Sequence, residues 1–439
     1  MKRTFFAWLV IVAMCSAASL TWLGSLGTPY AECHGVSADG GVVAGWAGVY
    51  SPHYAWRWTA DSGMVALPPL VSGRDCEVWG LSGDGSVVVG TGFVDGNNDY
   101  RGFWRRGDSL IILGTLGGRV SWAYAASKDG SAVAGSAEHS SGYNHAFRWT
   151  PDSGMQDLGV LPGALRSVGR AISLDGGVVV GWSGFENMIH HAFRWENGQM
   201  VDIHNPSFDQ SEGIGVSGDG QVAVGAWGPQ SMTPCRPFRW TQTTGMHDLG
   251  TLGGEWGEAW AANYDGSIVV GWSERSEGNW GAFRWTESGG MEDLNVTYSE
   301  LLTPGSVLRD AMAISPDGRF IAGRGYNAAT GRDEAYLLYT GPHGTSEMEA
   351  RARLDTPFTG VRTYFRDVLL LGFQLKQRNQ VVLKVYDVSG RSVACLINSV
   401  LLPGDYQTVF VPETGCGDVF ICRLQIGDAV YNQRLIRIR

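Results

Sequence analysis

Charged side chains are scarce in this sequence of 439 residues, and long apolar runs are absent after its first 18 positions. Asp, Glu, Lys and Arg make up 17% of the chain, against about 25% in an average protein, while 44% is hydrophobic. This balance excludes a disordered chain, because such chains contain too little apolar surface to bury. Elsewhere the apolar residues form short stretches cut by glycine, which excludes a protein with several membrane helices.

Glycine and tryptophan are the residues in excess. The chain has 63 glycines, about twice the usual ~7% share, and 18 tryptophans. This composition predicts a globular protein rich in strands, turns and buried rings. The net charge of −10 disfavours nucleic acid or anionic lipid as a partner.

The one long apolar stretch has the layout of a secretory signal peptide. Lys2 and Arg3 precede the apolar run from Phe5 to Met14, and small residues follow up to Ala18. We therefore expect residues 1–18 to be a signal peptide, and the mature chain to be exported without a transmembrane anchor. A lipoprotein site at Cys15 is the alternative, although Met14 stands where such sites have a small residue.

Cysteine pairing is left open by the sequence. Export permits disulfides. Cys416 and Cys422, which are six residues apart, are the first candidate pair, and Cys33 and Cys76 are the second. Buried free thiols are the alternative. The six cysteines after the signal peptide are Cys33, Cys76, Cys235, Cys395, Cys416 and Cys422.

A seven-fold internal repeat determines the predicted fold. An Asp-Gly pair, an apolar run and a closing glycine six residues after the aspartate recur at spacings of 44 to 52 residues. Each repeat has the length of four short strands, which predicts a seven-bladed β-propeller over residues 19–340. The aspartates are Asp39, Asp84, Asp129, Asp175, Asp219, Asp265 and Asp317, and the closing glycines are Gly45, Gly90, Gly135, Gly181, Gly225, Gly271 and Gly323.

The ends of the repeat region predict how the ring closes. The seventh repeat stops after its third strand, and the mature chain opens with a segment, residues 20–24, that is typical of a fourth strand. We expect this segment to complete the last blade, which would remove two exposed sheet edges. Within each repeat, Asp-Gly is expected to supply the positive-φ positions of a tight hairpin.

The third strand of the repeat carries aromatic residues that alternate with arginine. In Phe147-Arg148-Trp149 and its equivalents, a period of two puts both rings on one face, where we expect them to pack between blades. His145-Ala146-Phe147 and His191-Ala192-Phe193, with the linking Leu-Gly-Thr-Leu-Gly-Gly segments, resemble the HAF repeats of bacterial extracellular proteins. The resemblance spans residues 20–340 and implies an exported repeat protein without implying catalytic residues.

A second domain of different composition follows a linker at residues 341–355. Its strand and turn signals over residues 356–439 predict a small β-sandwich of immunoglobulin-like type. Thr356-Pro357-Phe358, residues 383–391 and residues 419–425 resemble the C-terminal sorting domain of type IX secretion. The resemblance implies that secretion machinery carries the protein to the outer cell surface or the medium, with the tail either retained or removed.

Residues shared by all repeats are expected to serve the scaffold, so the turn aspartates are interpreted as turn-forming. Trp46, Trp227 and Trp280 stand outside the shared aromatic pattern and are the candidate ligand-binding residues. Asp95, Asn97 and Asp99 place oxygen ligands at alternate positions, which makes a calcium site possible, although the glycine and glutamate of a complete calcium loop are missing. No other cofactor is predicted.

The functional hypothesis is a binding module for a protein or glycan at or outside the cell surface. No nucleophile elbow, zinc-protease motif or phosphate loop occurs in the sequence, so we expect a binding protein rather than an enzyme. A secreted hydrolase or lyase built from the variable loops is one alternative, and a structural surface-layer or adhesion component is another. Carboxylates clustered with His or Tyr in a loop-side pocket would favour the enzyme.

Overall fold

The computed structural model describes residues 18–94, 99–230, 234–341, 358–359, 364–365, 369–375, 378–387, 391–412, 419–427 and 429–437. They form an all-β protein of two compact units that divide after residue 342. Within the described residues, no helix has the length and apolar character needed to cross a bilayer.

The first unit consists of four-stranded antiparallel sheets, seven in the described residues, of which six are each formed by one repeat. Sheet I is β2 Ala31–Val36, β3 Val42–Ala47, β4 Tyr54–Thr59 and β5 Gly63–Ala66; sheet II is β6 Cys76–Leu81, β7 Val88–Phe93, β8 Tyr100–Arg106 and β9 Ser109–Ile112; sheet III is β10 Gly117–Ala126, β11 Val133–His139, β12 Asn144–Thr150 and β13 Gly154–Asp157. Sheet IV is β14 Arg166–Ile172, β15 Val178–Gly184, β16 His190–Glu196 and β17 Gln199–Asp202; sheet V is β18 Gln210–Val216, β19 Val222–Gly228, β20 Arg236–Thr241 and β21 Gly245–Asp248; sheet VI is β22 Gly253–Ala262, β23 Ile268–Arg275, β24 Trp280–Thr286 and β25 Gly290–Asp293.

Sheet VII draws its strands from both ends of the first unit. It contains β26 Val307–Ile314, β27 Phe320–Asn327 and β28 Arg332–Tyr339, and its outer strand is β1 Ser19–Gly24. The N-terminal strand pairs antiparallel with β28, with Trp22 opposite Tyr336. A short helix, α1 Leu294–Thr297, and a 3-10 turn, Ser299–Leu301, connect sheet VI to sheet VII.

Apolar cores lie between successive sheets. In one of them, Phe147 and Trp149 of sheet III pack with Val87 and Val89 of sheet II. The same arrangement recurs at every step, and one core joins residues of sheet VII, such as Ala322, with residues of sheet I. Each sheet therefore packs against the next, and the seventh packs against the first.

The third strand of the repeat, in which aromatic residues alternate with arginine, connects neighbouring sheets in two ways. Its first aromatic ring is fully buried in the core shared with the preceding sheet, as at Phe193 and Phe238. The arginine on the opposite face donates to a turn of the following sheet: Arg148 Nε lies 2.7 Å from the carbonyl oxygen of Gly176, and Arg239 Nε lies 2.9 Å from that of Gly266. The expected inter-sheet packing of these rings is confirmed.

The Asp-Gly turns are held by a repeated set of hydrogen bonds. In sheet IV, Asp175 Oδ1 accepts from Gly177 N at 2.9 Å, and Val178 N donates to Ser173 Oγ at 2.9 Å. Every turn aspartate makes the first of these bonds, so their interpretation as turn-forming is confirmed. The expectation that both residues take positive φ was wrong: only the glycine does, as at Gly176 with φ of 73°, because the aspartate acts through its side chain in a longer loop.

The closing glycines are required by a close approach of two backbones. A Cβ built on Gly181 would stand 1.9 Å from the carbonyl oxygen of Val168, and all seven closing glycines meet the first strand of their sheet in the same way at 1.8–2.0 Å. At this point each first strand carries an irregularity that leaves one residue out of the ladder, such as Arg170 between Gly169 and Ala171. The glycine thus allows a bulge, and a bulge redirects side chains.

The second unit is a β-sandwich with one apolar core. Leu371 and Phe373 of one sheet pack with Leu383, Phe420 and other residues of the facing sheet. The three-stranded sheet has the order β29 Phe358–Thr359, β31 Leu369–Leu375 and β34 Gly404–Phe410; the five-stranded sheet has the order β30 Tyr364–Phe365, β36 Ala429–Arg437, β35 Val419–Ile426, β32 Asn379–Asp387 and β33 Ser392–Leu401.

The cysteine side chains resolve part of the question that the sequence left open. Cys33 and Cys76 are buried free thiols rather than a disulfide, because they fill two different cores, between sheets VII and I and between sheets I and II. Burial raises the pKa of the Cys76 thiol to about 11. Cys235, Cys395 and Cys422 are also free, and Cys416 lies outside the described residues.

We expect Gly181→Ala to lower the free energy of unfolding by ~3 kcal/mol, which is the upper end of the usual cost of overpacking a protein core. The reason is that the new methyl group meets a backbone oxygen that cannot move without breaking the bulge. Thermal or denaturant unfolding measures the change. Gly114→Ala is the matched control, since Gly114 has open space and no positive φ. Equal stability of the two variants would contradict the role assigned to the closing glycines.

Candidate functional site

The first strands of all seven sheets line one central channel. It encloses a cavity of about 310 Å³. The residues that the bulges leave out of the ladders all face this cavity, and they are His34, Trp79, Tyr124, Arg170, Ile214, Trp260 and Met312. Among these seven side chains, Trp79, Tyr124 and Trp260 are aromatic and Arg170 is the arginine.

Acidic side chains recur at one position of the first strands beside this channel, and this set is named here the carboxylate ring; among its acids in the described residues, Glu32 lines the cavity itself. Two residues before each bulged residue, five of the seven sheets carry an acid, a position named here the carboxylate position. It lies toward the end of the sheet where the second strand leaves for the third, opposite the Asp-Gly turns, and this end is named the loop side. In order from sheet I to sheet VII, the carboxylate position holds Glu32, Glu77, Trp122, Val168, Glu212, Glu258 and Asp310.

The shared repeat motif does not predict this ring, although a signal is present in the sequence. The carboxylate position stands seven residues before the turn aspartate in every repeat, from Glu32 before Asp39 to Asp310 before Asp317. Because Trp122 and Val168 occupy it in two repeats, it is not part of the shared motif. We expected function in the variable loops instead.

Several ring carboxylates are bound by the sheet before them. His53 Nδ1 of sheet I lies 2.6 Å from Glu77 Oε1 of sheet II, and His190 Nδ1 of sheet IV lies 2.6 Å from Glu212 Oε1 of sheet V. Both histidines stand three residues before the buried aromatic residue of their third strand. The loop side thus carries two equivalent His–Glu pairs that connect neighbouring sheets.

The densest polar cluster lies where sheets VII and I meet. Arg324 forms an ion pair with Asp310, donates to the hydroxyl of Tyr30 and lies 3.9 Å from Glu32 Oε2. Glu32 also accepts from Tyr30, and its Oε1 is 2.8 Å from His34 Nε2. One buried guanidinium therefore holds two carboxylates and a phenol.

The two carboxylates of this cluster have opposite pKa shifts. Burial would raise the pKa of Glu32, but the hydrogen bonds from His34 and Tyr30 and the charge of Arg324 bring it below its usual value. Burial raises the pKa of Asp310 to about 6, only partly offset by Arg324. The cluster can therefore hold one ionised and one protonated carboxyl group at mildly acidic pH.

Aromatic rings adjoin the acids on sheets I and II. The ring of Trp46 lies 4.6 Å from that of His53, 5.5 Å from that of Tyr30 and 6.3 Å from that of Trp79. These rings, together with Glu32 and Glu77, form a half-buried surface that is named here the acid–aromatic patch.

The three predicted tryptophans do not form one site. Trp46 belongs to the acid–aromatic patch, and it occupies the same repeat position as Trp182 and Trp272, directly after the closing glycine, so its exclusion from the repeat pattern was wrong. Trp227 is half-buried against Phe208, whose ring centre is 3.5 Å away. Trp280 is 48% exposed, with Trp272 at 5.3 Å.

The predicted calcium ligands can be followed only in part. Asp95 and Asn97 lie outside the described residues. Asp99 faces arginines, with its Oδ1 2.7 Å from Arg119 Nη2 and its Oδ2 3.9 Å from Arg101 Nη2. Calcium binding remains a prediction.

The histidines of the HAF motif pair with acids on the fourth strand. His145 Nδ1 lies 3.0 Å from Asp157 Oδ2, and His191 Nδ1 lies 2.8 Å from Asp202 Oδ2. His139 joins the first pair, but its ring is parallel to that of His145, at 3° and 4.4 Å between centres. A metal ion must lie close to the plane of each imidazole that binds it, which parallel stacked rings do not allow, so this trio is a packing arrangement.

Comparisons with known proteins give a likeness of fold. No protein-family model and no curated protein sequence matches the chain. Among solved structures, it is similar to oligogalacturonate lyase from Vibrio parahaemolyticus (11% identity, 73% of this chain and 93% of that chain, TM-score 0.47) and to TolB from Acinetobacter baumannii (12%, 68% and 80%, 0.40). It is also similar to the β-propeller domain of the Trilobed protease from Pyrococcus furiosus (11%, 75% and 96%, 0.44).

We expect Asp310 to make stability fall with rising pH. A carboxyl group whose folded-state pKa of about 6 exceeds its unfolded value of 3.8 binds its proton more tightly in the folded protein, so this stabilisation is lost as the pH rises from about 4 to 6. The free energy of unfolding of the wild type, minus that of Asp310→Asn, should fall by about 2 kcal/mol between pH 4 and 7.

Denaturant titrations at several pH values measure this difference. Glu32→Gln is the matched comparison with the opposite sign: because the pKa of Glu32 is lowered on folding, its contribution is present above pH 4.5 and is lost as the pH falls. A wild-type and Asp310→Asn difference that does not change with pH would show that Asp310 is ionised throughout.

Proposed function

We propose that the chain is an exported seven-bladed β-propeller, closed by its N-terminal strand, that binds a glycan at the loop side of its channel. The acid–aromatic patch is the observation that carries this proposal. The proposal thus includes the secretion of the protein, the number of blades and the class of ligand.

The inter-sheet cores support the closed ring. Seven sheets that each pack on the next, with the seventh on the first, have the arrangement of propeller blades around a channel. The pairing of β1 with β28 joins the two ends of the unit within one sheet, and each of these strands covers one edge of the other.

The chemistry of the acid–aromatic patch supports a glycan ligand. Carboxylates accept hydrogen bonds from neighbouring sugar hydroxyls, and tryptophan rings stack on the apolar faces of pyranoses. Glu32 and Trp79 line the channel cavity, and Glu77 and Trp46 adjoin Trp79, so both kinds of group lie together at the loop side. His34 and His53 hold the two acids in place, so little side-chain freedom is lost on binding.

Export and delivery form the second part of the proposal. Residues 1–18 have the layout of a signal peptide, and residues 356–439 resemble a type IX sorting domain; the sandwich formed by the described part of that unit is compatible with this role. The protein is then presented at the outer cell surface or in the medium.

We expect the full-length protein to bind oligosaccharides on a glycan array, and Trp79→Ala to weaken binding about 10- to 100-fold, as at other buried aromatic contacts. Glu77→Gln, which keeps the side-chain shape, should also weaken it. Tyr264→Ala is the control, because Tyr264 is an exposed ring at the opposite end of the same channel. Absence of glycan binding, or an equal loss of affinity in Trp79→Ala and Tyr264→Ala, would contradict the proposal.

A secreted glycoside hydrolase or lyase is the second candidate. It is favoured by the opposite pKa shifts of Glu32 and Asp310 around Arg324, because an acid and a base with separated pKa values are what glycan cleavage requires. Tyr30 and His34 lie beside these carboxylates, and Glu32 and His34 line the channel cavity. The grouping of carboxylates with His and Tyr expected of an enzyme is therefore present, but Asp310 is buried and does not line that cavity.

If the cluster cleaves glycans, the full-length protein should release new reducing ends from a polysaccharide substrate, fastest at mildly acidic pH. Glu32→Gln and Asp310→Asn should each lower the rate at least ~100-fold, the usual loss when a general acid or base is removed. Glu196→Gln is the control, since Glu196 pairs with Arg194 on the third strand of sheet IV. Unchanged rates in both test variants would exclude this pair as the acid and base.

A further inference from the structure

The carboxylate ring is interrupted at sheets III and IV, and a pocket lies at the interruption. The carboxylate position there holds Trp122 and Val168. These two residues line an open pocket of about 300 Å³, together with Trp182, Asn144 and Arg166, and the ring of Tyr124 borders both this pocket and the central channel. The loop side thus has an acidic sector on five sheets and a separate sector without acids.

Arg166 gives this second sector a positive charge. Its Nε is buried and has no hydrogen-bond partner within the described residues, and no carboxylate there lies within ion-pair distance of its guanidinium. The side chain passes close over the backbone of Gly184, since a Cβ on that glycine would stand 2.7 Å from Arg166 Nε. The guanidinium borders an open pocket, where an anionic group of a ligand can pair with it.

The absence of an acid near Arg166 follows from the neighbouring residues. Val168 replaces the carboxylate on the same strand, and the nearby Glu212 of sheet V already accepts from His190 at 2.6 Å. Arg170, two residues beyond Val168, stacks on the ring of Tyr124 at 5.0 Å. The sector therefore keeps two arginines on one strand without an acid opposite them.

We propose that this pocket binds the carboxylate of an acidic sugar, of the uronic or sialic acid class. The inference rests on the proposed function and specifies its ligand. Arg166 pairs with the carboxylate, which its planar guanidinium can contact through two hydrogen bonds. Trp122 and Trp182 offer ring faces to the pyranose, and the side-chain amide of Asn144 offers a donor and an acceptor for a hydroxyl group.

The neighbouring contacts fix these groups before any ligand arrives. Trp182 stacks on His190 at 4.2 Å and 18°, and that histidine is held by Glu212. Trp122 lies 6.5 Å from Tyr100 in a stacked arrangement. Because the rings are already oriented, a sugar loses little of its binding energy to ordering the protein.

The test compares acidic oligosaccharides with their carboxyl-reduced derivatives, which differ only in the charged group, by calorimetry on the full-length protein. We expect reduction of the carboxyl group to weaken binding about 10- to 100-fold, and Arg166→Gln to cause a similar loss for the acidic form and little loss for the reduced form. Arg319→Gln is the charge-matched control, because Arg319 lies at an Asp-Gly turn, at the opposite end of its sheet. Arg166→Lys, which keeps the charge but not the planar fork, should bind with intermediate affinity.

The possible outcomes separate this inference from the proposed function. Equal binding of the acidic and reduced sugars keeps the glycan proposal and overturns the role of Arg166. Absence of binding to either sugar counts against both. Tighter binding of peptides with a free C-terminal carboxylate than of any acidic sugar would overturn the inference in favour of a protein ligand. The ligand comparison needs no variant, so it holds even if Arg166→Gln fails to fold.

Discussion

The close contact between the closing glycine and the first strand is the constraint on which the rest of the first unit depends. In each sheet the second strand comes so near the first that a single methyl group would overlap a carbonyl oxygen. This contact accompanies a bulge, and the bulge sends one extra side chain into the channel. A repeated glycine, which contributes no side chain, therefore positions the chemical groups that surround the channel.

The architecture could be predicted from the sequence because its determinants are local and repeated. The Asp-Gly turn, the closing glycine and the alternating Phe-Arg-Trp each act within a few residues, and a constant spacing copies them along the chain. The turn conformation was predicted less well, since Asp175 stabilises its turn through a side-chain hydrogen bond and not through a positive φ. Free thiols at Cys33 and Cys76 could not be predicted, because only the packing shows that they lie in separate cores.

The candidate site was hidden from sequence reasoning for a physical reason. Strand alternation predicts that Glu77 and Trp79, two residues apart, share a face, but it does not predict that this face borders a channel shared by seven sheets. The position of Trp79 at the channel follows from the bulge, which the sequence pattern does not show. The pairing of His53 with Glu77 is likewise invisible in the sequence, since 24 residues and a change of sheet separate them. Only the turn-to-acid spacing of seven residues was available as a signal, and two repeats depart from it.

The uneven charge of the loop side determines how an acidic glycan would lie across it. Glu77, Glu212 and Glu258 repel an anionic group, Arg324 balances part of the charge of Glu32 and Asp310, and Arg166 and Arg170 on sheet IV attract an anion, so the electrostatic field has a direction across the channel. A sugar carboxylate directed to Arg166 leaves the hydroxyl groups of the adjoining residues facing acids such as Glu212, which can only accept hydrogen bonds. The acids and the arginines then recognise different parts of one chain-like ligand, and reversing the ligand would place like charges together. In the proposed glycan complex, charge arrangement would therefore contribute more to specificity than the shape of the pocket.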